Sequence, residues 1–360
     1  MADAGKLTLG VVWDGNSVSA TEIRSSRPMV AQVLQGKPPK QVAQIVPMLF
    51  SVCGRAHGSA ANAAMQAARQ ATELELAGEG RAIACEAMQE HLWRVMLDWP
   101  RLAGLPQQEQ KFAGWYAMLR RIAAGEIAMS AFLRELERDW LRMPAPEWRE
   151  FDSLHALQAW WHKADSPVAQ LLEKLAGKEH GRPTQSDLRL LPAWSAADAY
   201  QSCAGRWGVH FSACPDWQGV AAETGAWTYY ADRPLLHDVW ERTGSKALMR
   251  LMARIVDVVE MASGNAAPRL DVASPAAGEG IAVVRTARGL LIHHVRIAAE
   301  KVADYAIVAP TEWNFHPAGA FAQDIIGLQA GDEDEVKRRA QIAALSLDPC
   351  VAYDIEVRHA

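Results

Sequence analysis

Cysteine is scarce in this chain, and none of it comes in pairs. Five cysteines in 360 residues, odd in number and widely scattered, exclude a disulfide framework and fit a reducing, cytoplasmic setting. Long hydrophobic runs are missing too: no stretch approaches the roughly 18 apolar residues that read as a membrane-spanning helix. The opening residues Met1-Ala2-Asp3-Ala4-Gly5 carry no basic segment followed by an apolar core, so no secretory signal is expected, and twin-arginine export is unmarked. Neither sign of charge dominates. Thirty-seven basic against 42 acidic residues leave a net charge of -5, which argues against a general nucleic-acid or acidic-membrane surface. There is no G-x-x-x-x-G-K-[ST] and no G-x-G-x-x-G after a strand, so nucleotide chemistry is not indicated. Internal repeats and low-complexity tracts are absent.

What is present is a globular chain. Half its residues are apolar, which excludes global disorder. A chain of this length can bury roughly 75% of its unfolded surface without covalent staples. Fourteen tryptophans is a high number, and Trp93, Trp99, Trp115, Trp140, Trp148, Trp160 and Trp161 stand at helix-like positions, as core and interface side chains do.

Asp14-Gly15-Asn16 between two short apolar stretches, 7–12 and 18–24, signals a β-hairpin. Residues 28–176 read as helical. Ser59 is a candidate N-cap for an alanine-rich helix running to about 77 and stopped by Gly78. Further helices are expected over 80–97, 107–124, 126–142 and 154–176. Residues 177–235 read as an irregular connection, and 238–262 as one long amphipathic helix. The β-rich stretches 281–285, 290–297 and 302–309 predict an antiparallel meander. A last helix is expected over 333–346, its acidic start complementing the helix dipole.

Two cysteines stand in informative surroundings, Leu49-Phe50-Ser51-Val52-Cys53-Gly54-Arg55-Ala56-His57 and Ser346-Leu347-Asp348-Pro349-Cys350-Val351-Ala352-Tyr353. By spacing alone, Cys53 and His57 leave structural and metal-binding roles open, and Cys350 says less still. The Ser59-capped helix follows directly on His57, so this cysteine motif opens onto a helix N-terminus, whose amide donors and dipole favour a thiolate over a thiol. Cys203 and Cys214 flank His210, but their ten-residue gap matches no common zinc spacing, and structural roles are expected. Cys85 reads as core. His293 and His294 fall in a predicted strand, so at most one can face a given site. Glu312 and His316 are candidate supporting groups.

The two cysteine segments resemble C-G-x-C-x-x-x-H and D-P-C-x-x-C-x-x-H of the nickel–iron hydrogenase large subunit. Phe50 replaces the first cysteine of the first pair, Tyr353 the second of the second pair, and Glu356 the terminal histidine. Arg285-Thr-Ala-Arg-Gly-Leu-Leu-Ile-His-His-Val295 and Val302-Ala-Asp-Tyr-Ala-Ile-Val-Ala-Pro-Thr-Glu-Trp-Asn-Phe-His316 are similar to that family's A-P-R-G-x-L-x-H-W and V-V-P-T-T-W-N segments, and His91–Trp99 to its helix ending in L-D-W. Arg27-Pro28 and the opening hairpin also resemble its N-terminal region. The pattern as a whole resembles the HupK/HoxV family of hydrogenase accessory proteins.

This resemblance implies an α+β, predominantly helical, large-subunit-like fold. It would be a single domain over 1–360, with short antiparallel β elements near the N-terminus and in the last third and with the two chain ends meeting at a central site. It implies a non-enzymatic scaffold with no catalytic residue. Cys53 and Cys350 would transiently hold an Fe(CN)2(CO) unit, with no nickel, since half the ligand set is missing. His57 would pack beside the Cys53 sulfur, Arg288 would lie over the cyanide-bearing iron, and Pro310 and Thr311 would line the same pocket. The implied partners are a small iron-carrying chaperone, the iron–cyanide assembly complex and the hydrogenase large-subunit precursor, with no nucleic acid or membrane. The family's cleavable extension is not expected beyond Cys350. A metal-free adaptor that recruits maturation factors is the alternative reading. A divergent hydrogenase subunit is a third, for which this chain has no cysteine cluster to carry iron–sulfur clusters.

Overall fold

The structure, a computed structural model, describes residues 5–28, 30–50, 52–70, 76–176, 189–203 and 205–360. The hairpin forms where the sequence predicts it. β1 (Lys6–Trp13) and β2 (Val18–Ser25) pair antiparallel about a turn in which Asp14 Oδ1 accepts the Asn16 and Ser17 backbone N–H groups, at 2.9 and 2.7 Å. A two-residue parallel pair follows later, β3 (Arg189–Leu190) with β4 (Ala222–Glu223). The expected meander is four strands rather than three: β5 (Leu270–Ala273), β6 (Glu279–Thr286), β7 (Gly289–Ala298) and β8 (Lys301–Val308), antiparallel in that order. The last strand, β9 (Ala352–His359), lies parallel to β1 and completes a sheet ordered β2-β1-β9.

Where one domain is expected, the chain gathers into two compact units. The first comprises residues 1–79, 186–228 and 269–360, the second residues 80–185 and 229–268. All three sheets lie in the first. There the helix Gly54–Ala68 packs on β6 and β7, its buried Ala60, Ala61, Ala63, Ala64, Ala67 and Ala68 allowing close approach. A Cβ on Gly280 of β6 would fall 1.9 Å from the Ala64 carbonyl oxygen. Strands β6 and β7 are covered on both faces, which is why they read as nearly continuous apolar runs rather than alternating ones.

The alanine helix starts six residues earlier than expected, with Cys53 rather than Ser59 at its N-cap. Gly54 and Gly58 are poor helix formers, yet they bring this helix against Pro47 of the preceding helix Pro39–Leu49, where a Cβ on Gly58 would meet Pro47 Cγ at 2.8 Å. Tertiary packing overrides propensity. The freed Ser59 hydroxyl donates to Glu79. The expected end of the helix, over 71–75, lies outside the described residues.

The second unit is helical; the expected helix over 107–124 runs unbroken as Glu109–Ala123, whereas the other long expected helices are interrupted. The helix Glu79–Trp93 continues through a π-helical turn, Arg94–Asp98, into Trp99–Ala103. Met129–Leu136 continues through another, Glu137–Leu141. The 154–176 stretch breaks at Asp165, with φ of 42°, and restarts at Pro167. The expected helix over 238–262 is likewise two, Pro234–Thr243 and Lys246–Ala262. Gly244 ends the first in a left-handed conformation, and Ser245 caps the second by accepting the Leu248 N–H at 3.1 Å. The polar face of Lys246–Ala262 is buried too: Glu260 pairs with Arg149 and Arg233, and Asp257 with His91 at 2.9 Å. Trp115, Trp140 and Trp148 are buried core residues, whereas Trp93 is 42% exposed beneath the Arg94 guanidinium.

The connection over 177–235 lies outside the described residues up to 188. Beyond that it contains helices at Ala196–Cys203, Val209–Ala213 and Ala226–Tyr229. Among the described residues no helix is long and apolar enough to cross a membrane.

Candidate functional site

Cys53 and Cys350 both belong to the first unit. Cys53 is buried at the N-cap of Gly54–Ala68, one turn before His57, whose backbone N–H donates to the Cys53 carbonyl at 3.0 Å. Cys350 is half-buried between the helix Glu333–Leu347 and β9. Asp348 ends that helix in the left-handed region, with φ of 54°. Both cysteines are free thiols.

Arg288 connects the two motifs. It sits in the β6–β7 turn, where the Thr286 hydroxyl donates to the Gly289 carbonyl at 2.8 Å and accepts the Arg288 N–H at 3.2 Å. Gly289 takes φ of 128°, and a Cβ there would fall 2.5 Å from the Thr224 side chain, so only glycine fits the turn. The buried Arg288 guanidinium donates from Nη1 to Cys53 Sγ at 3.3 Å and from Nη2 to Asp348 Oδ1 at 3.2 Å. One fork thus touches the thiol of the first motif and the carboxylate of the second.

Cys350 is held from the other side. Thr311, buried in the short helix Pro310–Asn314, donates its hydroxyl to Cys350 Sγ and accepts the Cys350 backbone N–H, both at 3.1 Å. The preceding Pro310 is buried at the start of that helix. A second cation feels the charge of both cysteines: Arg27, which pairs with Glu312. Burial alone would push the Arg27 guanidinium down, but Cys350, Glu312 and Cys53 together hold it above its ordinary value.

His57, one turn after Cys53, is buried from water. Its ring stacks on that of Phe50, with centroids 3.5 Å apart and planes 1° from parallel. Its Nδ1 is 3.0 Å from His293 Nε2. Burial first, then His293 and the Arg27 charge, keep the His57 imidazole neutral, well below the usual histidine range. The three motif positions that lost their family residue are occupied otherwise. Phe50 covers His57, Tyr353 packs against the core of the β1 sheet, and Glu356 pairs with Arg24 and Arg358 on the surface.

All six residues singled out in the sequence therefore fall in one unit. Direct contacts tie Arg288 to Cys53 and Thr311 to Cys350, Pro310 adjoins Thr311, and His57 is one turn from Cys53. The Cys53 thiol thus meets a guanidinium and the Cys350 thiol a hydroxyl, soft sulfur donors set beside charged and neutral hydrogen-bond donors. No group of three or more His, Cys, Asp or Glu among the described residues could hold a metal.

Arg27, Asp348 and His293 were not assigned to this site from sequence. Asp348 stands within the D-P-C segment and Arg27 within the N-terminal resemblance, so a signal existed for both. Nothing in the chain marked His293 over His294. The strand alternation places His294 on the opposite face, stacked on Trp207 at 4.6 Å between centroids. Cys203 is buried, its thiol pushed up to about 12 mainly by burial, while Cys214 and His210 are exposed. Cys85 is buried core, its thiol pushed up to about 11 mainly by burial.

The family model for nickel-dependent hydrogenase matches residues 230–355. The solved Ni-Fe-Se hydrogenase of D. vulgaris Hildenborough shares the fold, with a TM-score of 0.59 at 14% identity, covering 94% of each chain. Over almost the full length, the chain is 29% identical to the hydrogenase expression/formation protein HupK of Azotobacter vinelandii, covering 99% of this chain and 100% of that one. It is 32% identical to the hydrogenase expression/formation protein HoxV of Cupriavidus necator, covering 93% of this chain and 92% of that one. A large-subunit fold that keeps one thiol of each motif, matched end to end by these two proteins, places the chain in the HoxV/HupK family of hydrogenase expression/formation proteins.

Proposed function

We propose that this chain serves hydrogenase formation as a non-catalytic scaffold whose cargo is the Fe(CN)2(CO) unit, held through the Cys53 and Cys350 thiolates before transfer to the hydrogenase large subunit. The observation that carries the reading is the Arg288 guanidinium, forked between Cys53 Sγ at 3.3 Å and Asp348 Oδ1 at 3.2 Å. A buried cation against a sulfur favours the thiolate that iron requires. Guanidinium N–H groups such as those of Arg288 and Arg27 suit cyanide nitrogens, and each charge-assisted bond of this kind contributes about 1.5–3 kcal/mol.

Two sulfur donors leave nickel half-coordinated, so the cargo is the iron unit alone. Two thiolates leave the iron open to a competing donor set, which suits a carrier that must release it. The partners that follow are a small iron-carrying chaperone and the iron–cyanide assembly complex on the delivering side, and the large-subunit precursor on the receiving side. The site of action is the cytoplasm.

Complementation tests this. In cells lacking the native copy, Cys53→Ala and Cys350→Ala are expected to fold and accumulate normally, to copurify without iron, and to leave the hydrogenase unprocessed and inactive. Full hydrogenase activity with both variants would point instead to a metal-free adaptor.

A further inference from the structure

Behind His57 runs a buried polar chain that the roles above leave unused. His57 Nδ1 meets His293 Nε2 at 3.0 Å, and His293 Nδ1 meets the Tyr305 hydroxyl at 2.8 Å. All three side chains are buried, at 3%, 0% and 3% exposure. His293 reaches the helix Gly54–Ala68 from β7, and Tyr305 stands beside it on β8.

The direction of the protons in this chain follows from Tyr305. Among the described residues its hydroxyl has one partner, His293 Nδ1. A buried hydroxyl hydrogen left without an acceptor is unfavourable, so the Tyr305 O–H donates and His293 Nδ1 accepts. The His293 proton is then on Nε2, where it faces His57 Nδ1, which must accept. A protonated His57 would set two N–H groups against each other at that 3.0 Å contact, so the neutral ring is required by geometry. The His57 proton is left on Nε2.

We propose that Tyr305 and His293 act as positioning residues that lock His57 as the Nε2–H tautomer, so that the ring edge not facing His293 presents a donor for the Cys53 thiolate or for a cyanide nitrogen of the cargo. Turning that nitrogen into a metal-binding lone pair would require moving protons along the whole buried chain. His57 is thereby kept a donor and not a third iron ligand. The tautomer rests on the protein's own geometry, whereas the donor's target rests on the scaffold reading.

Nitrogen-15 magnetic resonance on histidine-labelled, cargo-free full-length chain tests the lock, with His57→Gln and His293→Gln assigning the two rings. Both rings are expected neutral and protonated on Nε2 alone, and Tyr305→Phe is expected to turn each into a mixture of tautomers. His57 protonated on Nδ1, or a Tyr305→Phe variant that keeps the pure Nε2–H pattern, would overturn the lock. Should Tyr305→Phe fail to fold, the unaltered chain decides alone. In protein carrying cargo, Tyr305→Phe is expected to shift the cyanide stretching bands with iron content unchanged. Unshifted bands would overturn the donation to cargo. Absence of any such bands in the unaltered protein would refute the scaffold and this donor role together, while the lock stands or falls on the cargo-free spectra.

Discussion

At position 348 a left-handed backbone and a buried ion pair coincide: φ is 54°, and the carboxylate, 1% exposed, accepts from the equally buried Arg288. Asparagine tolerates that backbone and nearly preserves the shape, so Asp348→Asn isolates the charge. Removing one partner of a buried pair costs about 3–5 kcal/mol, and a loss of that order is expected in urea unfolding of Asp348→Asn. A loss below about 1 kcal/mol would mean that Arg288 is adequately solvated without it. His293 gives a pH dependence. Burial lowers its folded value from 6.5 to about 3, so between those values the unfolded chain binds a proton that the folded chain does not. Stability is therefore full above about pH 7 and falls as the solution is acidified, by about 1.4 kcal/mol per pH unit below 6.5 for this group. Urea midpoints measured at about pH 7.5 and about pH 5.5 check this, and His293→Gln should reduce the difference, the share due to the buried neutral His57 remaining.

The decisive contact between elements is that of the alanine helix Gly54–Ala68 with β6. A Cβ on Gly280 would lie 1.9 Å from the Ala64 carbonyl oxygen and 2.6 Å from the Ala68 nitrogen, both backbone atoms that cannot swing aside. Gly280→Ala is expected to destabilise by about 3 kcal/mol or more, the upper end of overpacking costs, and to separate the helix that carries Cys53 and His57 from the strands that carry Arg288 and His293. A midpoint within error of the parent chain would contradict that packing. The alternation and turn residues of the hairpin, the meander and the helix Glu333–Leu347 were legible because their signals are local. The early start of the alanine helix was not: Gly54 and Gly58 read as helix-breaking until Pro47 is seen against them. The break at Gly244 was also missed, because apolar periodicity on both sides of a left-handed glycine looks continuous.

Across the whole molecule, the β2-β1-β9 sheet pairs the first strand with the last, and the two cysteine motifs meet the β6–β7 turn within one unit. The cysteines, Arg288 and Thr311 were found through short segments of text. Arg27, Asp348 and His293 act over long sequence separations and gain their roles only from the folded geometry. The second unit, with its π-helical turns and buried charged helix, was the least legible, because its polar face is neutralised by partners far away in sequence. The central claim is that the two surviving thiols hold an iron–cyanide–carbonyl cargo. Infrared spectroscopy in the cyanide and carbonyl stretching region tests it most directly, on protein purified without oxygen from cells with an active maturation system. Cyanide and carbonyl bands are expected in the parent chain and are expected to disappear in Cys53→Ala and in Cys350→Ala. A spectrum without such bands, from protein that restores hydrogenase formation in full, would contradict the claim.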